Sequence, residues 1–252
     1  MAGNARRIQW ANANSGVHAA WRVEEGHSAL RRIRQRKLRR FLYFHCFGMY
    51  LMVIDLWVSI GSTYSSLSVL RADKMAAAHG VTFRWRPFSV RQIMIEQNNI
   101  PFRDKPVKAA YMWRDIERRA QMYGLTFRLP APYPLPGLDL ANRVALVGAR
   151  EEWGESYTRA TYRRWFVDSE PAGEEPNLSA SIREAGQDPV RALALADTPE
   201  IETAYRAATE EAKLMGVFGS PTFVVNREIF WGDDRMEDAI AWVKHGKLNR
   251  LP

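Results

Sequence analysis

Two serines three residues apart, Ser62 and Ser65 in GSTYSS, follow an apolar run and open a helix-like one. A hydroxyl at a helix start can donate to an anion that the helix dipole also favours. It can equally cap the helix, a role worth about 1 kcal/mol. A second stretch, GVFGSPTFVVNREIFWGDD at 216–234, raises a different chemistry. Pro221 heads an otherwise clear strand and gives up a backbone donor there. That placement makes sense if the Ser220–Pro221 bond is cis and Ser220 offers its backbone to a ligand. Asp233 and Asp234 then read as acids in the first turn of the last helix.

Composition narrows the chemistry. The 252 residues contain one cysteine, Cys46, so neither an internal disulfide nor a C-x-x-C pair can form within the chain. The five histidines show no metal-ligand spacing, and no metal is expected. The net charge of +8 is unevenly placed. Residues 1–51 hold ten of the 36 Lys and Arg and two of the 28 Asp and Glu, which leaves 26 of each sign in the remainder. A balanced body gives no reason to expect nucleic-acid binding. The basic cluster RRIRQRKLRR precedes the apolar run FLYFHCFGMYLMVIDLWVSI, the order of a signal anchor. Asp55 and His45 argue against a lipid span, and VIDLWV reads instead as a buried strand. Residues 1–51 are therefore set aside as a basic extension, disordered or non-native.

The elements that must position these groups follow from residue 52 onward. A strand at VIDLWV, a helix over 62–78 stopped by Gly80, and a strand over 81–85 closed by Pro87 make a βαβ crossover. Residues 89–215 are helical with proline-rich interruptions such as LPAPYPLPG, and Thr198-Pro199 marks a helix start. Strands at Thr222–Val225 and Glu228–Trp231 and a helix over 233–243 end the chain. The sum is α/β, a thioredoxin-like fold with an all-helical domain inserted after the second strand. Residues 52–88 and 216–252 are expected to form the discontinuous thioredoxin-like part, and 89–215 the insertion.

Four segments in register resemble the 2-hydroxychromene-2-carboxylate isomerases and kappa-class glutathione transferases, relatives of the DsbA-type thioredoxin fold. SIGSTYSSL is similar to that family's D-F-x-S-P-Y-S-Y-L loop, and WRPF to the end of its second strand. NNIP…VKAAYMWRDIERRA resembles G-N-x-P…K-x-x-Y-x-x-x-D-L-x-R, and GVFGSPTFVV…FWGDDR resembles G-V-F-G-x-P-T-F…F-W-G-x-D-R. The resemblance implies glutathione as cofactor and a small aromatic substrate. It makes Ser62 the contact to the glutathione sulfur and Asn99 and Lys108 contacts to its carboxylates or backbone. Ser220, ahead of a cis Pro221, would pair with the cysteinyl main chain, and Asp233 and Asp234 would hold the γ-glutamyl ammonium. Tyr111, Trp113 and Tyr133 are candidates for the electrophile pocket, while Trp231 can be simple core. Cytoplasmic location and a homodimer are implied as well.

The chain departs from the pattern around the first loop. Thr63 stands for proline, Ser59 for aspartate, Ser66 for an aromatic residue and Asn98 for glycine. A glutathione-dependent isomerase is the expected activity. The alternatives are a kappa-type transferase or peroxidase, and a non-catalytic thioredoxin-fold binding protein.

Overall fold

The computed structural model describes residues 52–102 and 104–248; the basic extension expected at 1–51 lies outside them. Four strands form one sheet: β1 (Val53–Val58), β2 (Thr82–Pro87), β3 (Thr222–Val225) and β4 (Glu228–Trp231) in the order β2-β1-β3-β4. β1 runs parallel to β2 and antiparallel to β3, and β3 and β4 form a hairpin. The hairpin turns at Asn226-Arg227, both at positive φ, as a two-residue turn that follows strand twist requires.

Side chains on β1 alternate between two cores. Ile54, Leu56 and Val58 join Phe83, Phe223 and Val225 on one side, while Trp57 joins Phe88, Ile93, Val217 and Val224 on the other. Asp55, the residue that argued against a lipid span, lies opposite Arg84 in the β1–β2 register and is bound by it, with Nη2 to Oδ2 at 2.7 Å. Among the described residues no helix is long and apolar enough to cross a membrane.

The helix expected over 62–78 is two helices, α1 (Ser65–Val69) and α2 (Ala72–His79), the second ended by Gly80 in the left-handed conformation. Serine-rich α1 has weak helical preference, because hydroxyls offer the backbone other partners. The break falls at Arg71, whose guanidinium donates to the Asp233 carbonyl at 2.7 Å, pairs with Glu237, and stacks 3.8 Å from the Tyr123 ring centroid.

Between β2 and β3 come α3 (Val90–Glu96), α4 (Pro106–Met122), α5 (Leu138–Arg150), α6 (Gly154–Arg163), α7 (Asn177–Glu184), α8 (Pro189–Ala196) and α9 (Pro199–Leu214). Thr198 caps α9 by accepting from Ile201 N. After β4 a 3-10 turn, Asp233–Arg235, replaces the first turn of the expected last helix, and α10 (Met236–His245) follows.

Two helices of this run fasten the loop after β1. Asn142 of α5, fully buried, accepts from Ile60 N at 2.8 Å and donates to the Ile60 and Leu138 carbonyls at 2.8 and 2.7 Å. Tyr162, the penultimate residue of α6, donates to the Ser59 carbonyl at 2.9 Å and the Ser62 carbonyl at 3.2 Å. Burial pushes its phenol far above the ordinary range, so it stays a donor. Asn142→Ala leaves both polar groups of Ile60 without this partner, and each orphaned group costs about 1–3 kcal/mol. Urea unfolding of the full chain is expected to show a lower midpoint at unchanged slope, equivalent to about 2 kcal/mol or more of lost stability.

Candidate functional site

Because β1 and β3 are antiparallel, with Trp57 opposite Thr222, the exit of β1 lies beside the entry of β3. This geometry brings Ser59 and Ser220 together across 161 residues of chain. The Ser220 hydroxyl accepts from Ser59 N at 2.9 Å and shares a hydrogen with Ser65 Oγ at 2.8 Å. Its carbonyl accepts from Ser62 Oγ at 2.5 Å. Both hydroxyls of the Ser62-x-x-Ser65 pair thus end on one residue. The Ser220–Pro221 bond is cis, as its place ahead of a strand implied.

Ser62 does not cap the helix. α1 starts three residues later, and its N-cap position, Tyr64, makes no side-chain capping bond. Gly61 allows the turn that separates loop from helix, at a φ of 118° that a side chain rarely adopts. The residues that depart from the family pattern are each accommodated. The Ser59 hydroxyl accepts from Val90 N at 3.4 Å, Thr63 donates to the Met112 sulfur at 2.9 Å, and Ser66 donates to the Thr63 carbonyl at 2.7 Å. Asn98 stands at φ 51°, a left-handed position that glycine fills easily and asparagine tolerates best among other residues.

A cavity of about 360 Å³ opens over this junction, and Ser62, Asn99, Lys108 and Ser220 all line it. Asn99 follows α3, its N–H bonded to the Met94 carbonyl at 2.8 Å. Lys108 lies in the first turn of α4 with its ammonium 6.0 Å from the Phe102 ring centroid. Its walls include the aromatic residues Tyr64, Phe102, Tyr133, Phe218 and Trp231. Trp231 is not core: it is 54% exposed and packs edge-on to Phe218 at 4.8 Å. It lies so close over Gly219 that a Cβ there would come within 2.1 Å of Nε1. Of the three aromatics expected in the electrophile pocket, Tyr133 lines the cavity; Trp113 stands behind it at 6.3 Å, and Tyr111 is 60% exposed.

Pro221, Asp233 and Asp234 are not among the cavity walls. Pro221 is buried behind Ser220. Asp233, buried, accepts from Arg119 Nε at 2.8 Å, and Arg119 also donates to the Tyr123 hydroxyl at 2.8 Å. Asp234 is half exposed and pairs with Arg235 at 3.1 Å. Sequence reasoning missed the loop's anchors, Asn142 and Tyr162, and a cavity cation, Arg91 on α3. A second hollow of about 460 Å³ beside α6 holds none of the expected residues, and its arginines are neutralised, Arg159 by Asp73 and Arg163 by Glu184.

Burial pushes the Asp233 carboxyl above its ordinary value of 3.8, and Arg119 only partly offsets it. The folded chain therefore holds this proton more tightly than the unfolded chain. The stabilisation is complete below pH 3.8 and is lost as pH rises through the folded pKa. The unfolding free energy of the wild type minus that of Asp233→Asn is expected to fall as pH rises from 3.8. A difference that rises instead would mean that the Arg119 pair outweighs burial.

The family described as the DSBA-like thioredoxin domain matches residues 53–240. A 2-hydroxychromene-2-carboxylate isomerase from Sphingobium xenophagum is 27% identical over 187 residues, covering 73% of this chain and 94% of that protein. Glutathione S-transferase kappa 2 of Caenorhabditis elegans is 24% identical over 178 residues, covering 67% and 79%. A solved 2-hydroxychromene-2-carboxylate isomerase structure superposes with a TM-score of 0.68 at 24% identity, over 77% of this chain and 97% of that one. With the sheet order, the loop facing the cis-proline and a match across most of its length, the chain belongs to the DSBA-like thioredoxin domain family.

Proposed function

We propose that the chain is a glutathione-dependent isomerase acting on an unsaturated aromatic 2-oxo acid of the 2-hydroxychromene-2-carboxylate type. The observation that carries this reading is that one cavity, with aromatic residues in its walls, gathers Ser62, Ser220, Asn99 and Lys108. Its volume of about 360 Å³ suits a small peptide or drug-sized ligand. Its charged lining is cationic throughout, which suits anionic ligands, and Lys108 suits a carboxylate of glutathione.

When bound, glutathione supplies a thiolate that adds to the conjugated carbon–carbon double bond and later leaves, so that the bond can rotate between the two steps. The Ser62 hydroxyl would exchange its bond to the Ser220 carbonyl for one donated to the sulfur, and so hold the sulfur's charge. Ser220 meets the cysteinyl main chain beside Pro221, while Asn99 and Lys108 bind the peptide's far end. Asp233 and Asp234 remain the proposed partners of the γ-glutamyl ammonium. Asp234 is the more available of the two, since Asp233 is committed to Arg119. The reading carries with it a reducing, glutathione-containing compartment, the cytoplasm, and a homodimer.

Titration calorimetry of the full chain with glutathione tests the site. Asp234→Ala is expected to weaken binding about tenfold, or about 1.4 kcal/mol. Ser62→Ala is expected to keep binding within about threefold while turnover of an aryl-methylene pyruvate falls about 10²–10³-fold. A folded chain that binds no glutathione at millimolar concentration would leave a non-catalytic binding protein as the better reading. Accumulation of a stable thioether product, instead of rearranged substrate, would identify a kappa-type transferase.

A further inference from the structure

Val90, Arg91 and Met94 of α3 and its C-cap residue Gln97 line the cavity, while Ile93 is buried. Arg91 and Lys108 are the charged residues of the lining, and no carboxylate shares the cavity with them. Among the described residues neither is ion-paired, although most of the arginines on the rest of the surface are. Two cations left without anions around one cavity mean two anionic groups to be received. Arg91 and Tyr133 line the same cavity, and the Arg91 charge pulls the Tyr133 phenol down against the upward push of burial. Tyr133 packs edge-on to Phe102 at 6.5 Å, so the cavity that Arg91 lines also offers a pair of aromatic rings. A planar fork of donors in a cavity with such rings is suited to a carboxylate carried on an aromatic ring or a short chain from it.

We infer that Arg91 is the specificity residue for the second ligand: it binds the carboxylate of an aromatic 2-oxo acid whose ring packs against Phe102 and Tyr133. This rests on reading the cavity as the reaction site, with Lys108 serving glutathione. Arg91 sits on the exposed side of a short helix and fastens no part of the loop, so its replacement leaves the fold intact.

Calorimetry with two unreactive, matched probes tests the assignment on the full chain, namely 2-oxo-4-phenylbutanoate and 4-phenyl-2-butanone, in which a methyl group replaces the carboxylate. The wild type is expected to bind the oxo acid about tenfold or more tightly than the ketone, the gain of one charge-assisted pair. Arg91→Gln is expected to reduce that preference below about threefold, to leave ketone binding unchanged, and to hold glutathione affinity within about twofold. The inference is overturned if the wild type shows no preference or binds neither probe. It is overturned equally if Arg91→Gln keeps the preference, or if the variant loses glutathione affinity instead. If the preference depends on Arg91 while glutathione fails to bind at all, the glutathione reading falls and the aromatic acid site stands.

Discussion

Ser220 is tied through both its hydroxyl and its carbonyl to a loop 155–161 residues away, and the candidate site exists only because of that knot. The antiparallel pairing of β1 with β3 sets the distance, and the serine-rich loop supplies the partners. Nearly all of these groups are buried, so each unmade bond would cost about 1–3 kcal/mol; the cluster is stable only when completely paired. From β1 through the loop and into α1, the backbone path follows from satisfying those groups. Asn142 and Tyr162 close the remaining bonds from the helical side, so sheet and helices share one hydrogen-bonded seam.

That seam also separates this chain from a redox protein of the same fold. The Ser62-x-x-Ser65 pair presents hydroxyls to the junction, and both are engaged by Ser220. Hydroxyls at these positions can donate to a thiolate but cannot exchange disulfides. The chemistry left to the loop is electrostatic. Under the proposed function it holds charge on a sulfur brought by another molecule, next to a cavity whose own charges are positive. The second hollow lacks that character, since its arginines already have acidic partners.

Much of this was legible in the residues because the signals are local. Gly80 as a helix stop, Thr198-Pro199 as a cap, and Ser-Pro ahead of Thr222–Val225 each state a backbone requirement within a few positions, and each is met. The break between α1 and α2 was not legible, because its cause, Arg71 drawn to Asp233 and Glu237, lies more than 160 residues away. Asn142 and Tyr162 read as ordinary positions on amphipathic helices, since burial and a long-range carbonyl leave no periodic trace. Arg91 reads as a solvated helix residue until α3 is placed against the loop. Asp233 and Asp234 illustrate the converse: adjacent in sequence, they lie in different environments, one buried on Arg119 and one half exposed beside Arg235.

The most direct measurement is a crystal structure of the full chain with glutathione. The expected result has the sulfur within about 3.5 Å of Ser62 Oγ and the cysteinyl main chain hydrogen-bonded to Ser220. Glutathione found in the hollow beside Arg159 and Arg163, or bound with its sulfur turned away from Ser62, would contradict the assignment of the Ser220 junction as the site of chemistry.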